Sequence, residues 1–485
     1  MTKGFTRNFK PFELLEEGQI EAIWAGALSV LEETGLLFEV EEPRALKILD
    51  DGGCRVDYDA KRVKFPSRLV EECLRRCPNT FRLEARDPEN DLEVGGNKVY
   101  IRPGPGRQFL NPETFEGREP SRKEFYEAVT VYDALDNLHV FHSNSPCFSF
   151  QGANPAMANI ETYVARARNS TKVNWFAELL RNHIFIIEIT KVLGARGHFS
   201  IGSASPLAWS DAAITALMAV VEAGIPASLG GGSVWGASAP ATIAGEMITN
   251  LAEATGPIVL VQLMDPGHPV MARDYTFPQN MRTGAPFFGN IGNGLAAAVL
   301  NQCWRRYGIP SCNIEAAVPN SKRMDFQSAY EKGMNALAMA VSGAHIVWLH
   351  GTVAGELTSH PVQAILDDDI AGMVGRFLRG VEVSEETLAT DLIKKVGPIP
   401  GHYLSTGHTL KWWRREQFIP RAADLSTLPQ WLKEGKKTCL DYARERMEEI
   451  LATHKVARPL TSGQEEEIER ILAEAREYHR RREEG

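Results

Sequence analysis

Residues 327–350 read QSAYEKGMNALAMAVSGAHIVWLH, and the fold turns on how that stretch divides. Gln327–Ser342 carries apolar residues at helical spacing and stops at Gly343, a residue suited to the left-handed geometry of a helix end. Ala344–His350 is a short run of branched and aromatic residues, the length and composition of a strand. The same helix–strand rhythm repeats upstream. Ser210–Ala223 and Ala241–Thr255 have helical periodicity. His139–Ser145, Lys172–Glu178, His198–Ser203, Ile225–Gly230, Ile258–Met264, Pro286–Gly289 and Ile309–Ala316 read as strands. Such alternation yields an α/β fold, either a TIM barrel or a doubly wound sheet. No strand opens into a G-x-G-x-x-G turn, and polar or aromatic residues gather at strand C-terminal ends, where a barrel carries its chemistry. The sequence therefore predicts a TIM (β/α)8-type barrel over residues 121–455.

The flanks read differently. Ile20, Ile23, Trp24, Ala27, Leu28 and Leu31 mark a helix ending near Gly35, a second helix spans Pro43–Asp51, and Cys54–Phe65 reads as a hairpin. A third helix runs from Pro66 to Arg76, followed by short β segments broken by Gly and Pro. Residues 1–120 are expected to form a mixed α+β N-terminal domain. At the other end, residues 456–485 form a packed helix: Ser462 and Glu465 fit a capping box, and Ile468, Ile471, Leu472 and Ala475 make one apolar stripe.

Composition narrows the function. The 485 residues carry 53 Lys+Arg against 62 Asp+Glu, a formal charge of −9, and 44% are hydrophobic. That excludes disorder and argues against bulk nucleic-acid binding, which needs clustered basic residues. No stretch approaches the roughly 20 consecutive apolar residues of a membrane span. The N-terminus lacks the apolar core of a signal peptide, and seven cysteines at irregular spacing form no disulfide framework. A soluble cytoplasmic protein is expected, free of nucleic-acid or membrane partners. There is no P-loop, no H-E-x-x-H and no G-x-S-x-G. Cys73 and Cys77 lack the further ligands of a zinc site, so no metal of its own is expected.

Strand parity proposes which side chains share a face. Ile346, Trp348 and His350 point one way, toward the barrel mouth. Asn174, Phe176 and Glu178 share a face, as do Gln262 with Met264 and Asn313 with Glu315. The set is aromatic and weakly acidic, with no basic residue, which suits a cation held on ring faces and balanced by carboxylates.

Longer stretches carry a resemblance. Thr34–Asp57 (TGLLFEVEEPRALKILDDGGCRVD), Gly202–Leu207 (GSASPL), Met281–Gly284 (MRTG), Asn320–Leu337 and Val396–Arg415 (VGPIPGHYLSTGHTLKWWRR) together resemble the trimethylamine methyltransferase family across nearly the whole chain. The resemblance implies a TIM barrel that moves a methyl group from a methylamine to the cobalt of a separate corrinoid protein. Founding members carry pyrrolysine just before a segment that here reads Pro319-Asn320-Ser321-Lys322; the preceding residue, Val318, is ordinary. That places the chain in the non-pyrrolysine branch, whose characterised members act on glycine betaine, proline betaine and carnitine. Ser405-Thr406-Gly407-His408-Thr409 departs from the His-Pro-His-Thr of relatives, which points to a structural His408 at a helix start.

The loss of pyrrolysine has a chemical rationale. A quaternary nitrogen already bears the charge that makes it a leaving group, so the protein needs only to position it, exclude water and compensate charge. Parity then assigns Trp348, Phe176 and Trp235 to a ring wall, Glu178 and Glu315 to charge balance, and His350 and Gln262 to a substrate carboxylate. No residue is assigned as acid or base. The expected reaction is methyl transfer from glycine betaine or a related betaine to Co(I) cobalamin on a partner corrinoid protein, releasing a tertiary amine; association into a homo-oligomer is expected as well. Two competing readings are a non-catalytic betaine-binding protein and a barrel lyase or decarboxylase without cobalamin.

Overall fold

Helix caps and strand alternation explain the order of elements seen in the computed structural model, which describes residues 4–178 and 180–484. Among these residues, nine strands form one curled sheet. Its order is Phe5–Thr6, Lys98–Pro103, Ile346–His350, Ser311–Asn313, Val270–Arg273, Ala227–Gly230, His198–Gly202, Val173–Ala177 and Val140–Phe141. Phe5–Thr6 pairs antiparallel at the edge; every other neighbour pairs in parallel. The N–H of His139, one residue before Val140–Phe141, donates to the Ile101 carbonyl at 2.8 Å, which brings the two ends of the parallel run together.

Each parallel strand is followed by an outer helix, in chain order Arg122–Ala134, Ala158–Asn169, His183–Val192, Asp211–Glu222, Ile243–Met264, Ile291–Arg305, Phe326–Ser342 and Pro361–Leu378. Local chemistry sets their limits. Asp325 accepts from the Ser328 N–H to start Phe326–Ser342, and Gly343 at φ 121° ends it. Strand parity then makes two cores. Tyr100, Val173, Trp175, Cys312, Ile346 and Trp348 fill the inside of the sheet, while Phe176, Phe199 and Leu229 pack outward against helices.

Several expectations change. Ile258–Met264 is no strand; it is the second half of the helix Ile243–Met264. Gly256, inside this helix, has a packing role. A Cβ there would stand 2.3 Å from Leu36 Cδ1, so the glycine lets the N-terminal region press against the helix. By length and composition this helix could cross a membrane, yet it is mostly buried within the fold. Pro286–Gly289 contributes only an isolated bridge from Pro286 to Gln279. Of the parallel strands, Val270–Arg273 was missed, while Lys98–Pro103, within the stretch read as short β segments of the N-terminal domain, joins the central sheet instead.

Lys98–Pro103 also shows that position 120 does not divide two cores, since a strand from the first 120 residues belongs to the central sheet. Leu36–Glu39 pairs in parallel with Ala208–Ser210. Trp24 packs edge-on to Trp304 and Tyr307, centroids 5.3 and 4.9 Å apart. The hydrophobic gain is shared between the N-terminal region and the outer helices. The terminal helix Ser462–Glu484 buries Ile468, Ile471, Leu472 and Ala475 as its stripe requires. Its cap lies one residue early: Thr461 and Gln464 exchange the capping bonds, and Glu465 binds Arg168.

Candidate active site

The C-terminal ends of the parallel strands surround a cavity of about 440 Å³. Trp348, Ala177, Ser200 and Arg273 come from strands; Phe148, Tyr275 and Glu356 come from the loops beyond them. Exposed Arg107 and half-buried Asn144 stand at its edge. Carbonyl and amide groups of the strands are consumed by the sheet, so side chains decide what the cavity recognises.

Trp348 is buried at the cavity wall, its indole N–H donating to Cys312 Sγ at 3.1 Å. Its ring lies 4.5 Å from the His142 ring and 4.0 Å from the Arg102 guanidinium. The Arg102 guanidinium also lies over the Trp175 ring, 3.6 Å from its centroid. Arg102 is 0% exposed, and among the described residues none of its three side-chain nitrogens has a hydrogen-bond partner. Burial drives its pKa well below the ordinary guanidinium value, with Arg273 and Arg166 pushing the same way. His198, 4.2 Å from Trp175, is likewise unpaired at both ring nitrogens; burial, reinforced by Arg102, keeps its ring neutral. The Ser200 and Ser228 hydroxyls have no partner either. Arg273 occupies space left by Gly202, whose Cβ would stand 2.4 Å from Arg273 Nη2.

An acidic cluster forms a second zone. The Tyr275 hydroxyl donates to Glu356, and burial raises the Glu356 pKa. Deeper, Asp274 accepts from Asn313 Nδ2 at 2.6 Å and from the Ile314 N–H at 3.2 Å. Burial raises Asp274 to about 7, and burial together with the Asp274 charge raises its neighbour Glu315 well above the carboxylate range, so the two share a proton. Glu246, raised to about 7 by burial, accepts from Ser233 Oγ at 2.5 Å and Thr276 Oγ1 at 2.6 Å.

The residues expected from parity disperse. Trp348 lines the cavity. Phe176 faces outward against Tyr163 and Phe199, because the inward residues of its strand are Val173 and Trp175. Glu178 accepts from the Arg181 N–H at 2.5 Å and pairs with His183. His350 turns away from Trp348's face to meet Asp368 at 3.3 Å, since the register shifts between Trp348 and His350. Gln262 ends a helix, donating to the His268 carbonyl and accepting from the Gly267 N–H. Glu315 is locked with Asp274, and Trp235 donates to Thr276 Oγ1. Val318 is buried in the same interior cluster as Trp348. The expectation of a mouth without basic residues is overturned by Arg273 and Arg107 at the cavity and Arg102 behind Trp348. His142, Tyr275, Glu356, Arg273 and Arg102 were all missed. For Trp175 the signal was present: a one-residue shift of parity finds it.

Residues 1–479 match the family described as Trimethylamine methyltransferase (MTTB). The chain is 30% identical over 451 residues to a trimethylamine methyltransferase of Desulfitobacterium hafniense strain DSM 10664 / DCB-2, covering 90% of this chain and 88% of the relative. It is also 30% identical over 455 residues to a glycine betaine methyltransferase of Desulfitobacterium hafniense strain Y51, covering 91% and 93%. The solved Methanosarcina barkeri monomethylamine methyltransferase covers 89% of this chain and 92% of its own, at a TM-score of 0.48 and 14% identity. The chain belongs to the trimethylamine methyltransferase family.

Proposed function

We propose that this protein transfers a methyl group from a quaternary amine, glycine betaine or a related betaine, to Co(I) of a partner corrinoid protein and releases a tertiary amine. The observation that carries the reading is the cavity at the strand ends, where the rings of Trp348, Tyr275 and Phe148 stand beside the half-buried Glu356 carboxylate. Ring faces and a carboxylate are what a fixed positive nitrogen needs, each ring contributing about 0.5–2 kcal/mol. The relative named glycine betaine methyltransferase supports that donor. Val318, where the resemblance places pyrrolysine in founding members, supports a donor that needs no activation at nitrogen. The eight strand–helix units, with the His139–Ile101 bond, support a closed (β/α)8 barrel whose mouth is this cavity.

In this reading the N–CH3 bond breaks with its electron pair passing to nitrogen. The corrinoid supplies the two-electron nucleophile and is a second substrate carried by the partner. The residues of this chain hold the trimethylammonium group against the ring wall, keep water from the methyl carbon and balance the charge with Glu356. No proton moves. Exposed Arg107 and half-buried Asn144 at the cavity edge support an approach of the acceptor from that side.

The test mixes the protein, a corrinoid partner and reduced cobalamin with a panel of quaternary amines. Loss of Co(I) absorption that requires both protein and amine is expected. Calorimetric binding without any such loss would favour a non-catalytic betaine-binding protein. Trp348→Ala should weaken amine binding far more than Trp24→Ala, and equal effects would remove the ring wall.

A further inference from the structure

Three loops that follow the parallel strands meet at one carboxylate. Glu331, on the helix Phe326–Ser342, is 6% exposed, and the cation beside it in sequence, Lys332, turns away to Asp367. Its partners are uncharged donors instead. Oε2 accepts from the Asn320 N–H at 2.7 Å and the Ser321 N–H at 3.1 Å, and Oε1 accepts from Gln327 Nε2 at 2.8 Å. A buried carboxylate is costly unless N–H groups converge on it, and such charge-assisted bonds are the strong ones. Gly289 makes room for it: a Cβ there would stand 2.4 Å from Glu331 Cδ.

The Pro319–Ser321 loop passes this hold on. The Ser321 carbonyl accepts from the Ala354 N–H and the Pro319 carbonyl from the Gly355 N–H, both at 2.7 Å. Ala354 and Gly355 stand at φ 57° and 70°, and a residue with a side chain keeps that geometry only where its surroundings impose it. Phe288 closes on the same turn, since a Cβ on Gly355 would stand 2.7 Å from Phe288 Cδ2. The next residue is Glu356, which lines the cavity and accepts from Tyr275.

We propose that Glu331 is a positioning residue of the site: by fixing the Pro319–Ser321 loop it holds the Ala354-Gly355 turn, and so sets where the Glu356 carboxylate stands in the cavity. Glu331 acts only through this chain of bonds, because it does not itself line the cavity. The attraction between a fixed cation and a carboxylate depends on their separation, so the placement of Glu356 decides what it contributes. This inference deepens the reading that Glu356 balances the nitrogen of the methyl donor, and rests on it.

Two measurements on the full chain test it. Amide hydrogen exchange of the ligand-free protein is followed over residues 351–359. Glu331→Ala should speed exchange at Ala354 and Gly355 about tenfold or more while leaving the strand Val173–Ala177 unchanged. Glu331→Gln should stay near wild type, because its amide oxygen still accepts from the loop. Calorimetry with tetramethylammonium and glycine betaine then compares Glu331→Ala, Glu356→Gln and the double variant. Each single change should weaken binding about tenfold, and the double variant should bind no more weakly than Glu356→Gln, since both act through one carboxylate. Unchanged exchange over 351–359 in Glu331→Ala, or losses that multiply in the double variant, overturns the proposal. If Glu331→Ala does not fold, Glu331→Asp, which withdraws the oxygens by one methylene, takes its place with the same refutations. A wild type that binds neither amine removes the reading of the cavity, and the exchange result then decides the positioning role by itself.

Discussion

Lys332 and Arg102 are both wholly buried cations, and their surroundings are opposite. In the helical layer, Lys332 Nζ lies 2.6 Å from Asp367 Oδ2, which also accepts from the Gly351 N–H at 2.8 Å, while Gln363 donates to Asp367 Oδ1. Inside the sheet, Arg102 lies against two indole faces. The first arrangement is self-sufficient: it ties Phe326–Ser342 to Pro361–Leu378 and to the loop after Ile346–His350. The second leaves its donors without acceptors among the described residues. A buried charge that closes on itself holds the fold together, and one left open contributes little to it.

Stability separates the two most widely. Lys332→Met strands the Asp367 carboxylate, and urea unfolding should show a loss of about 3–5 kcal/mol. Arg102→Met removes a charge that nothing neutralises, trading ring contacts for relief of desolvation. The ligand-free variant should stay within about 1 kcal/mol of wild type. Equal losses would mean that Arg102 is structural and the contrast false.

The acidic zone sharpens the comparison, because there the chain has supplied its own answer, a shared proton. Asp274 is raised from the ordinary Asp value to about 7. The folded chain thus keeps a proton that the unfolded chain releases above about pH 4. The stabilisation is complete at low pH and is lost as pH rises through 7, at up to about 1.4 kcal/mol per pH unit for one group. Urea unfolding from pH 5 to 8 should show this decline, and Asp274→Asn should reduce it, the part due to Glu246 remaining. An unaltered slope would end the shared-proton picture.

The smallest effect concerns the two faces of one strand. Phe176→Leu trims an outward contact with Phe199 and Tyr163 and should cost about 1 kcal/mol with no change in betaine affinity. A weakened affinity would return Phe176 to the cavity.

How far the sequence reached follows from range. Helices such as Phe326–Ser342 were legible because periodicity, an N-cap and a terminal glycine lie within one segment. Six of the parallel strands were visible for the same reason. Ile258–Met264 was not, since an unbroken apolar run suits a buried helix as well as a strand, and the purpose of Gly256 is set by Leu36, far away in the chain. The site suffered most. Parity places alternate residues together but does not say which set faces in, so Phe176 stood in for Trp175. A register shift then reversed His350.

Family, α/β rhythm and the exclusion of familiar hydrolase and nucleotide motifs were determined by the sequence alone, because each is written in contiguous residues. Only the tertiary structure decided that Arg102, from a strand assigned to another domain, lies against both Trp175 and Trp348. The stacking depends on three strands brought together across 246 positions of chain, from Arg102 to Trp348, and no local pattern encodes that meeting.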